Sequence, residues 1–376
     1  MRVLILADRS LAQRERSMLM RLEVGLADEG VRVVHGVPRQ ALEDQATGLY
    51  STAVGYDDGR LAIGRSRRVG RFLRAVQRAQ QEAGGGDDGV DVVHAFGVGC
   101  WSFALEVSRQ TGAGLLLELW RSSAIAQAAA LASRTSHPTL LRFAVSEPAI
   151  SSALRKRSPN AMVVSAPWGV HSAASPRPVY SGGRPLAVAM LADAGDVRAA
   201  SAALSGLAEA TKLAGVEFLI FLGTEDGSPA REAAVWGAAR KLNLLDRLSM
   251  VPEMEARREP VLQMDALLLP EASGRERSLV LEAMGNGMLV IAAADPFVES
   301  LAEGKTARLI TQSTAEAWRA GLSQLLTDSG AAAALGRSAH AWVREHRTAS
   351  EQVAHVLRAY AQFEPVRPTS GAGARE

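Results

Sequence analysis

A carboxylate in the segment 270–294 is the clearest candidate for binding chemistry in this sequence. Ser278 is a suitable N-cap, apolar residues follow at helical spacing, and Gly285 and Gly287 end the pattern before the apolar run 288–293. These features predict a loop, a helix, a turn and a buried strand. Glu282 falls in the first or second helical turn, where its carboxylate can accept two vicinal hydroxyl groups. An acidic residue near a helix N-terminus is also stabilised by the helix dipole alone, without any ligand.

The elements that must position this carboxylate alternate along the whole chain. Apolar runs of strand length are separated by helical patterns such as 17–27 and 102–109, which predicts α/β architecture with doubly wound parallel sheets. The predicted strands are 3–7, 31–35, 90–96, 115–119, 143–146, 162–165, 186–191, 216–222, 266–269 and 288–293. The segments 314–326 and 331–360 predict two final helices.

A stretch rich in Pro, Ser and Gly interrupts this series and predicts a linker over 172–184. The interruption and the length of 376 residues predict two Rossmann-like domains, residues 1–171 and 185–345. Two such domains facing each other form a cleft, and ligands bind there at the carboxyl ends of the strands. The tail 364–376 has no apolar period, so we expect it to be disordered.

Composition and charge exclude several classes of protein. With 47% hydrophobic and 22% charged residues the chain is typical of soluble globular proteins, and a formal net charge of +2 gives no bulk field that would attract nucleic acid. Cys100 is the sole cysteine, which excludes an internal disulfide, and without a cluster of metal ligands we expect no metal site. No apolar run suits a signal peptide or a membrane span, so we expect a cytoplasmic protein.

Several motifs resemble those of retaining family 4 glycosyltransferases, in the same order and over most of the chain. The segment 270–294 is similar to the E-x7-E donor signature of that family. Further similar motifs are DVVHAFG at 91–97, VSEPAISSAL at 145–154, APWGVH at 166–171, FLIFLGT at 218–224 and DPFVESLAEGKT at 295–306. The resemblance implies the glycosyltransferase B-type (GT-B) fold, in which the last helix, here within 346–363, returns to the first domain.

The resemblance also implies what binds at Glu282. That carboxylate would hold the ribose of a nucleotide-sugar donor, with Ser278, Leu279 and Gly223 close to the donor. The family uses no metal, and its nucleotide sugar is a substrate rather than a cofactor.

The donor motif departs from the family pattern where charge is needed. The first carboxylate of the signature is replaced by Gly274, and Glu276 lies two residues out of register. The Arg and Lys that compensate the charge of the diphosphate are replaced by Met190 and Gly195. Other cations would have to take over, unless those nearby belong to a solvated surface loop. The candidate cations are Arg198, Arg275 and Arg277.

The first domain departs in a similar way. The Gly-Gly loop of the family corresponds to AQRER, in which Glu15 and Arg16 match while Ala12 and Gln13 replace the glycines. Side chains there prevent the close approach of backbone to a ligand that glycine permits. Trp120 stands where the family has a His near the donor sugar, and it either packs on a sugar face or belongs to the core. Glu15, Arg16 and Trp120 are therefore the candidate residues on the acceptor side.

The segment 64–80 predicts a basic amphipathic helix. Its apolar face contains Val69, Phe72, Leu73 and Val76, and its polar face contains Arg67, Arg68, Arg71, Arg74 and Arg78. In family members that act on lipid-linked acceptors, such a helix docks on anionic membrane, which predicts peripheral contact at the inner membrane face. An ordinary surface helix with arginines in water is the alternative.

Two functions from different classes follow. The leading hypothesis is transfer of a sugar, with retention, from a nucleotide-sugar donor to an unidentified acceptor of the lipid-linked or polysaccharide type. The alternative is a catalytically inactive GT-B protein that binds a sugar or a nucleotide as the partner of an active glycosyltransferase. Glu282 and its helix favour the first, whereas the lost cations, carboxylate, His and glycines favour the second. A GT-B epimerase is less favoured, because the carboxylates and His of that class cannot be placed here.

Overall fold

The computed structural model describes residues 1–42, 52–57, 64–82, 89–134, 140–178, 180, 182–192, 196–224, 229–251, 258–272 and 277–363. The predicted tail 364–376 lies outside the described residues, and so do Gly195, Gly274, Arg275 and Glu276.

The N-terminal domain is a parallel sheet with helices on both faces. Its elements are β1 (Arg2–Ala7), α1 (Arg9–Arg14), α2 (Arg16–Asp28), β2 (Arg32–Pro38), α3 (Arg39–Leu42), β3 (Thr52–Tyr56), α4 (Arg65–Glu82), β4 (Val92–Phe96), α5 (Trp101–Thr111), β5 (Gly114–Leu119), α6 (Ile125–Arg134), β6 (Leu141–Val145), α7 (Pro148–Arg157) and β7 (Val163–Ser165). Within the described residues seven strands form this sheet, in the order β3-β2-β1-β4-β5-β6-β7. All neighbouring strands are parallel, and β1, β4, β5 and β6 are buried along their whole length. Such burial explains why these strands appear as continuous apolar runs.

The C-terminal domain repeats this architecture. Its elements are β8 (Leu186–Ala192), α8 (Val197–Ala214), β9 (Phe218–Thr224), α9 (Pro229–Lys241), β10 (Leu248–Met250), α10 (Arg258–Val261), β11 (Ala266–Leu269), α11 (Arg277–Gly285), β12 (Leu289–Ala293), β13 (Arg308–Ile310), α12 (Ala315–Thr327), α13 (Ser329–His346) and α14 (Ala349–Tyr360). Six strands of the described chain form its parallel sheet, in the order β10-β9-β8-β11-β12-β13.

The prediction of two doubly wound domains is confirmed, with two differences in detail. Three short strands at sheet edges, β3, β10 and β13, were not among the predicted strands. The single helix predicted over 331–360 is wrong, because the helix is interrupted after His346 and a new one begins at Ala349. There the hydroxyl of Thr348 accepts from the backbone N–H of Glu351, and the Glu351 side chain accepts from the backbone of Thr348. This capping box starts a new helix.

The last helix packs on the N-terminal domain. The hydroxyl of Tyr360 lies 2.8 Å from Nδ1 of His94, whose Nε2 lies 3.0 Å from Oε1 of Glu118. Trp168 Nε1 donates to the other oxygen of Glu118 over 3.2 Å, and all four side chains are buried. Burial, followed by the nearby charge of Glu118, raises the pKa of Tyr360 well above its usual value. His94 is thus a buried residue of β4. The limits of the predicted linker and domains stay a prediction.

Candidate functional site

Helix α11 places Glu282 at the cleft between the two domains. The described helix begins at Arg277, so Ser278 is its second residue and the predicted N-cap at Ser278 is wrong. Ser278 is fully buried, and its hydroxyl contacts groups of other elements instead of capping its own helix. Leu279, the next residue, is also buried.

Both oxygens of Glu282 are bound by arginines. Arg258 Nη1, at the start of α10, donates to Oε2 over 2.9 Å, and Arg21 Nη1, from α2 of the other domain, donates to Oε1. Glu282 is 6% exposed and Arg258 is 8% exposed. An ionised carboxylate has about four acceptor positions, so Glu282 keeps capacity for hydroxyl groups beside the two arginines.

Glu15 reaches across the cleft to the first turn of α11. It lies at the break between α1 and α2 and is fully buried. Its Oε1 accepts from the backbone N–H of Ser278 over 3.1 Å, and its Oε2 accepts from the Ser278 hydroxyl. The same Oε2 is 4.0 Å from Arg258 Nη2. The predicted acceptor-side residue Glu15 therefore lies against the donor-side helix.

The segment that resembles the Gly-Gly loop is largely helical in this chain. Helix α1 extends to Arg14 and buries Ala12, so no loop precedes Glu15. Helix α1 contains no glycine, which favours its continuation as a regular helix.

A second contact across the cleft uses Arg277. This arginine is buried and donates to Glu147, which also accepts from the backbone N–H of Ser300 (3.2 Å) and from its hydroxyl (2.9 Å). The alternative of a solvated surface loop is therefore wrong for Arg277. Close by, Glu299 accepts from the backbone N–H of Ala149 over 2.8 Å.

Two groups of residues thus hold the domains together. We call Glu15, Arg21, Arg258, Ser278 and Glu282 the Glu282 clasp. We call Glu147, Arg277 and Ser300 the Glu147 clasp. Removing one partner of a buried ion pair typically costs 3–5 kcal/mol, because the other charge stays buried without compensation. Each clasp therefore stabilises the observed arrangement of the domains.

The other candidate residues are distributed over both domains. Arg198 is exposed at the start of α8, where Asp196 accepts from its backbone N–H over 2.9 Å. Gly223 is buried near the carboxyl end of β9. Arg16 is half-buried at the start of α2, and Trp120 packs against the ring of Trp168, with 5.6 Å between ring centroids.

Sequence reasoning missed Arg21, Arg258 and the role of Glu147. Glu147 was visible in the VSE motif, but neither arginine has a local signal. Arg21 is separated from Glu282 by 261 positions, and Arg258 by 24.

In the part of the chain that the structure describes, no three His, Cys, Asp or Glu side chains come together as possible metal ligands. The helices described there also include none with the length and apolar character that crossing a bilayer requires.

No family model and no curated protein matches the sequence. Solved structures do match. HepE of Anabaena, solved in complex with UDP and glucose, is 12% identical with a TM-score of 0.69, over 96% of this chain and 99% of that chain. Sucrose-phosphate synthase of Thermosynechococcus elongatus is 16% identical with a TM-score of 0.68, over 96% and 98%. A glycosyltransferase of Rickettsia africae ESF-5 is 12% identical with a TM-score of 0.68, over the same shares. The chain therefore has the GT-B fold of these glycosyltransferases.

Proposed function

We propose that this protein is a glycosyltransferase that binds a nucleotide sugar in the cleft at α11. The observation that carries the proposal is the Glu282 carboxylate, buried on the cleft side of α11 with arginines of both domains around it. A fold neighbour, HepE, is solved with UDP and glucose, and it matches over almost the whole length of both chains.

In this proposal Glu282 accepts the two ribose hydroxyls of the donor. Met190, which stands where the resembling motif has an arginine, is uncharged and fully buried in β8. In this proposal the arginines of the Glu282 clasp supply the positive charge instead. No metal is needed, because guanidinium groups and backbone N–H groups can together stabilise a departing diphosphate. The proposal includes retention of configuration at the transferred sugar, an acceptor of the lipid-linked or polysaccharide type, and membership of family 4.

Binding is tested by calorimetry and thermal shift with UDP, GDP and ADP and with their nucleosides. A ligand at a hundred times its Kd stabilises the folded protein by about 2.7 kcal/mol. Glu282→Gln should weaken nucleoside binding at least tenfold, which corresponds to ~1.4 kcal/mol. Glu106→Gln, on α5 and outside both clasps, is the matched control and should bind like the wild type. Wild-type protein that binds none of these nucleotides would refute the proposal.

The catalytically inactive alternative is favoured by a different observation. All the charged groups of the Glu282 clasp are engaged with one another across the cleft. The two functions are separated by following nucleotide release from a bound nucleotide sugar, with and without candidate acceptors. Turnover that Glu282→Gln removes supports the enzyme, whereas tight binding without release supports the inactive partner.

Peripheral membrane contact is proposed from helix α4. Its apolar residues Val69, Phe72 and Val76 are buried in the N-terminal core and Leu73 is half-buried, so this face is not available to a membrane as a whole. Arg67, Arg71 and Arg74 are exposed. Docking would therefore be electrostatic, and binding to liposomes with anionic lipid should weaken as salt rises. The double variant R67E/R74E should remove it. Wild-type protein that fails to bind at low salt leaves the ordinary surface helix.

A further inference from the structure

The Glu15 carboxylate is bound by hydrogen-bond donors of the kind that also bind phosphate groups. Its carboxylate accepts the backbone N–H of Ser278 in the first turn of α11 and the Ser278 hydroxyl. Helix N-termini attract anions because their N–H groups and dipole present positive charge. A carboxylate and a phosphate would therefore compete for this position.

Arg258 adds a buried cation that does not belong to α11. Both of its Nη atoms lie 3.1 Å from the Ser278 hydroxyl, and Nη2 lies 4.0 Å from Glu15. The guanidinium, the hydroxyl and the backbone N–H thus converge on one point. This set of donors is typical of phosphate recognition.

Arg21 contributes donors that the clasp does not use. While its Nη1 binds Glu282, its Nε and Nη2 are buried and have no hydrogen-bond partner among the described residues. Buried guanidinium nitrogens without a partner are costly. The Glu282 carboxylate binds only Nη1 and leaves these two nitrogens without a partner among the described residues. A ligand with several acceptor oxygens would provide partners for them.

We propose that Glu15 is an intramolecular competitor of the donor diphosphate, and that Arg258 and Arg21 are the cations that bind the diphosphate once Glu15 withdraws. The inference rests on the proposed function and specifies how its site is regulated. Glu15 belongs to the N-terminal domain, whereas Ser278 and Arg258 belong to the C-terminal domain. Displacement of its carboxylate therefore exchanges one contact between the domains for contacts of the diphosphate with Arg21 of the N-terminal domain and Arg258 of the C-terminal domain.

This arrangement lowers the apparent affinity for the donor. A ligand that must first displace an internal group binds only those molecules in which the site is available. Its apparent affinity is therefore reduced in proportion to the fraction of such molecules. Removing the charge of Glu15 should reverse that effect. A purely structural role of Glu15, as a cap of α11, predicts no such gain.

The test is calorimetric titration of UDP, GDP and ADP, each against its nucleoside, into the wild type and Glu15→Gln. Gln keeps the length of the side chain and can still accept the Ser278 N–H. We expect the Kd of the bound nucleoside diphosphate to fall at least tenfold, with the nucleoside unchanged, because only the former has the phosphates that compete with Glu15.

The matched control is Glu299→Gln, which removes a carboxylate contact across the cleft that does not belong to the Glu282 clasp. Its nucleotide affinity should equal that of the wild type. An equal gain in Glu299→Gln would mean that any loosening of the cleft raises affinity, and would overturn the inference. Unchanged affinity in Glu15→Gln, or an equal gain for the nucleoside, would also overturn it.

The role of Arg258 is tested in the same titrations. Arg258→Gln should weaken binding of the diphosphate at least tenfold more than binding of the nucleoside, and R258Q in the E15Q background should remove the gain. If E15Q does not fold, Glu15→Asp, whose shorter side chain reaches less far, should show a smaller gain of the same kind, and no gain would refute the competition. These failures differ from failure of the proposed function, in which neither the wild type nor the Glu15 variant binds any nucleotide.

Discussion

The two clasps across the cleft hold the same domains together with different chemistry. In the Glu147 clasp one carboxylate accepts from Arg277 and from the N–H and hydroxyl of Ser300, so the donors and acceptors match within the protein. In the Glu282 clasp two carboxylates share Arg258 and the first turn of α11, while Arg21 has buried donors without a partner among the described residues.

This difference separates a permanent contact from an exchangeable one. A fully matched buried pair gains nothing from a ligand, whereas a group with surplus donors is stabilised by a more highly charged anion. We therefore expect the Glu147 clasp to contribute mainly to stability and the Glu282 clasp mainly to binding.

The largest effect is expected for Arg277→Met. The substitution leaves Glu147 buried without its main cation, because the other nearby guanidinium, that of Arg347, has its Nη2 4.0 Å away. Unfolding by urea should show a loss of about 3–5 kcal/mol. The double variant R277M/E147Q should recover part of this loss, since no buried charge remains uncompensated. A loss below ~1 kcal/mol would contradict the assignment of the Glu147 clasp as the stronger structural contact.

A smaller loss of stability is expected for Arg21→Met. Glu282 keeps Arg258 as a partner, and the Arg21 side chain is 16% exposed, so the free energy of unfolding should fall by about 1–2 kcal/mol. Removing Arg21 also removes its buried donors without a partner, which offsets part of the loss. The affinity for the nucleoside diphosphate should fall in this variant and stay unchanged in Arg277→Met. If instead Arg277→Met lowered the affinity and Arg21→Met left it unchanged, the Glu147 clasp would be the binding contact and the comparison of the clasps would be reversed.

The sequence predicts the fold well because each central strand is covered on both faces. Burial of this kind requires a continuous apolar run, as in Leu186–Ala192 and Ala266–Leu269. Edge strands lack that requirement. In Thr52–Tyr56 only two of five residues are buried, so its local pattern is weak.

The site was predictable only where its chemistry is local. Glu282 and its helix stand out from the spacing of neighbouring residues, but its partners do not. Arg21 lies on an amphipathic helix where an arginine normally faces solvent, and only the packing of two domains brings it to Glu282. The start of α11 was misplaced for a similar reason, because the carboxylate that binds its first turn comes from Glu15, 263 positions away.

The smallest effect is expected at a pair in which one partner, Arg109, is exposed and the other, Glu106, is half-buried. On α5, the guanidinium of Arg109 donates to both oxygens of Glu106 over 2.9 and 2.7 Å. These bonds, set against partial burial, lower the pKa of Glu106 from 4.5 to about 2. A lowered pKa in the folded state means that the pair contributes stability above pH 4.5 and loses it as the pH falls towards 2.

In Arg109→Ala the Glu106 carboxyl, followed by NMR, should titrate closer to its ordinary range. Because water screens exposed charges, the variant should differ little from the wild type in stability at neutral pH, and not at all below pH 2. A loss as large as that of Arg277→Met would mean that burial is not what distinguishes the clasps from ordinary surface pairs.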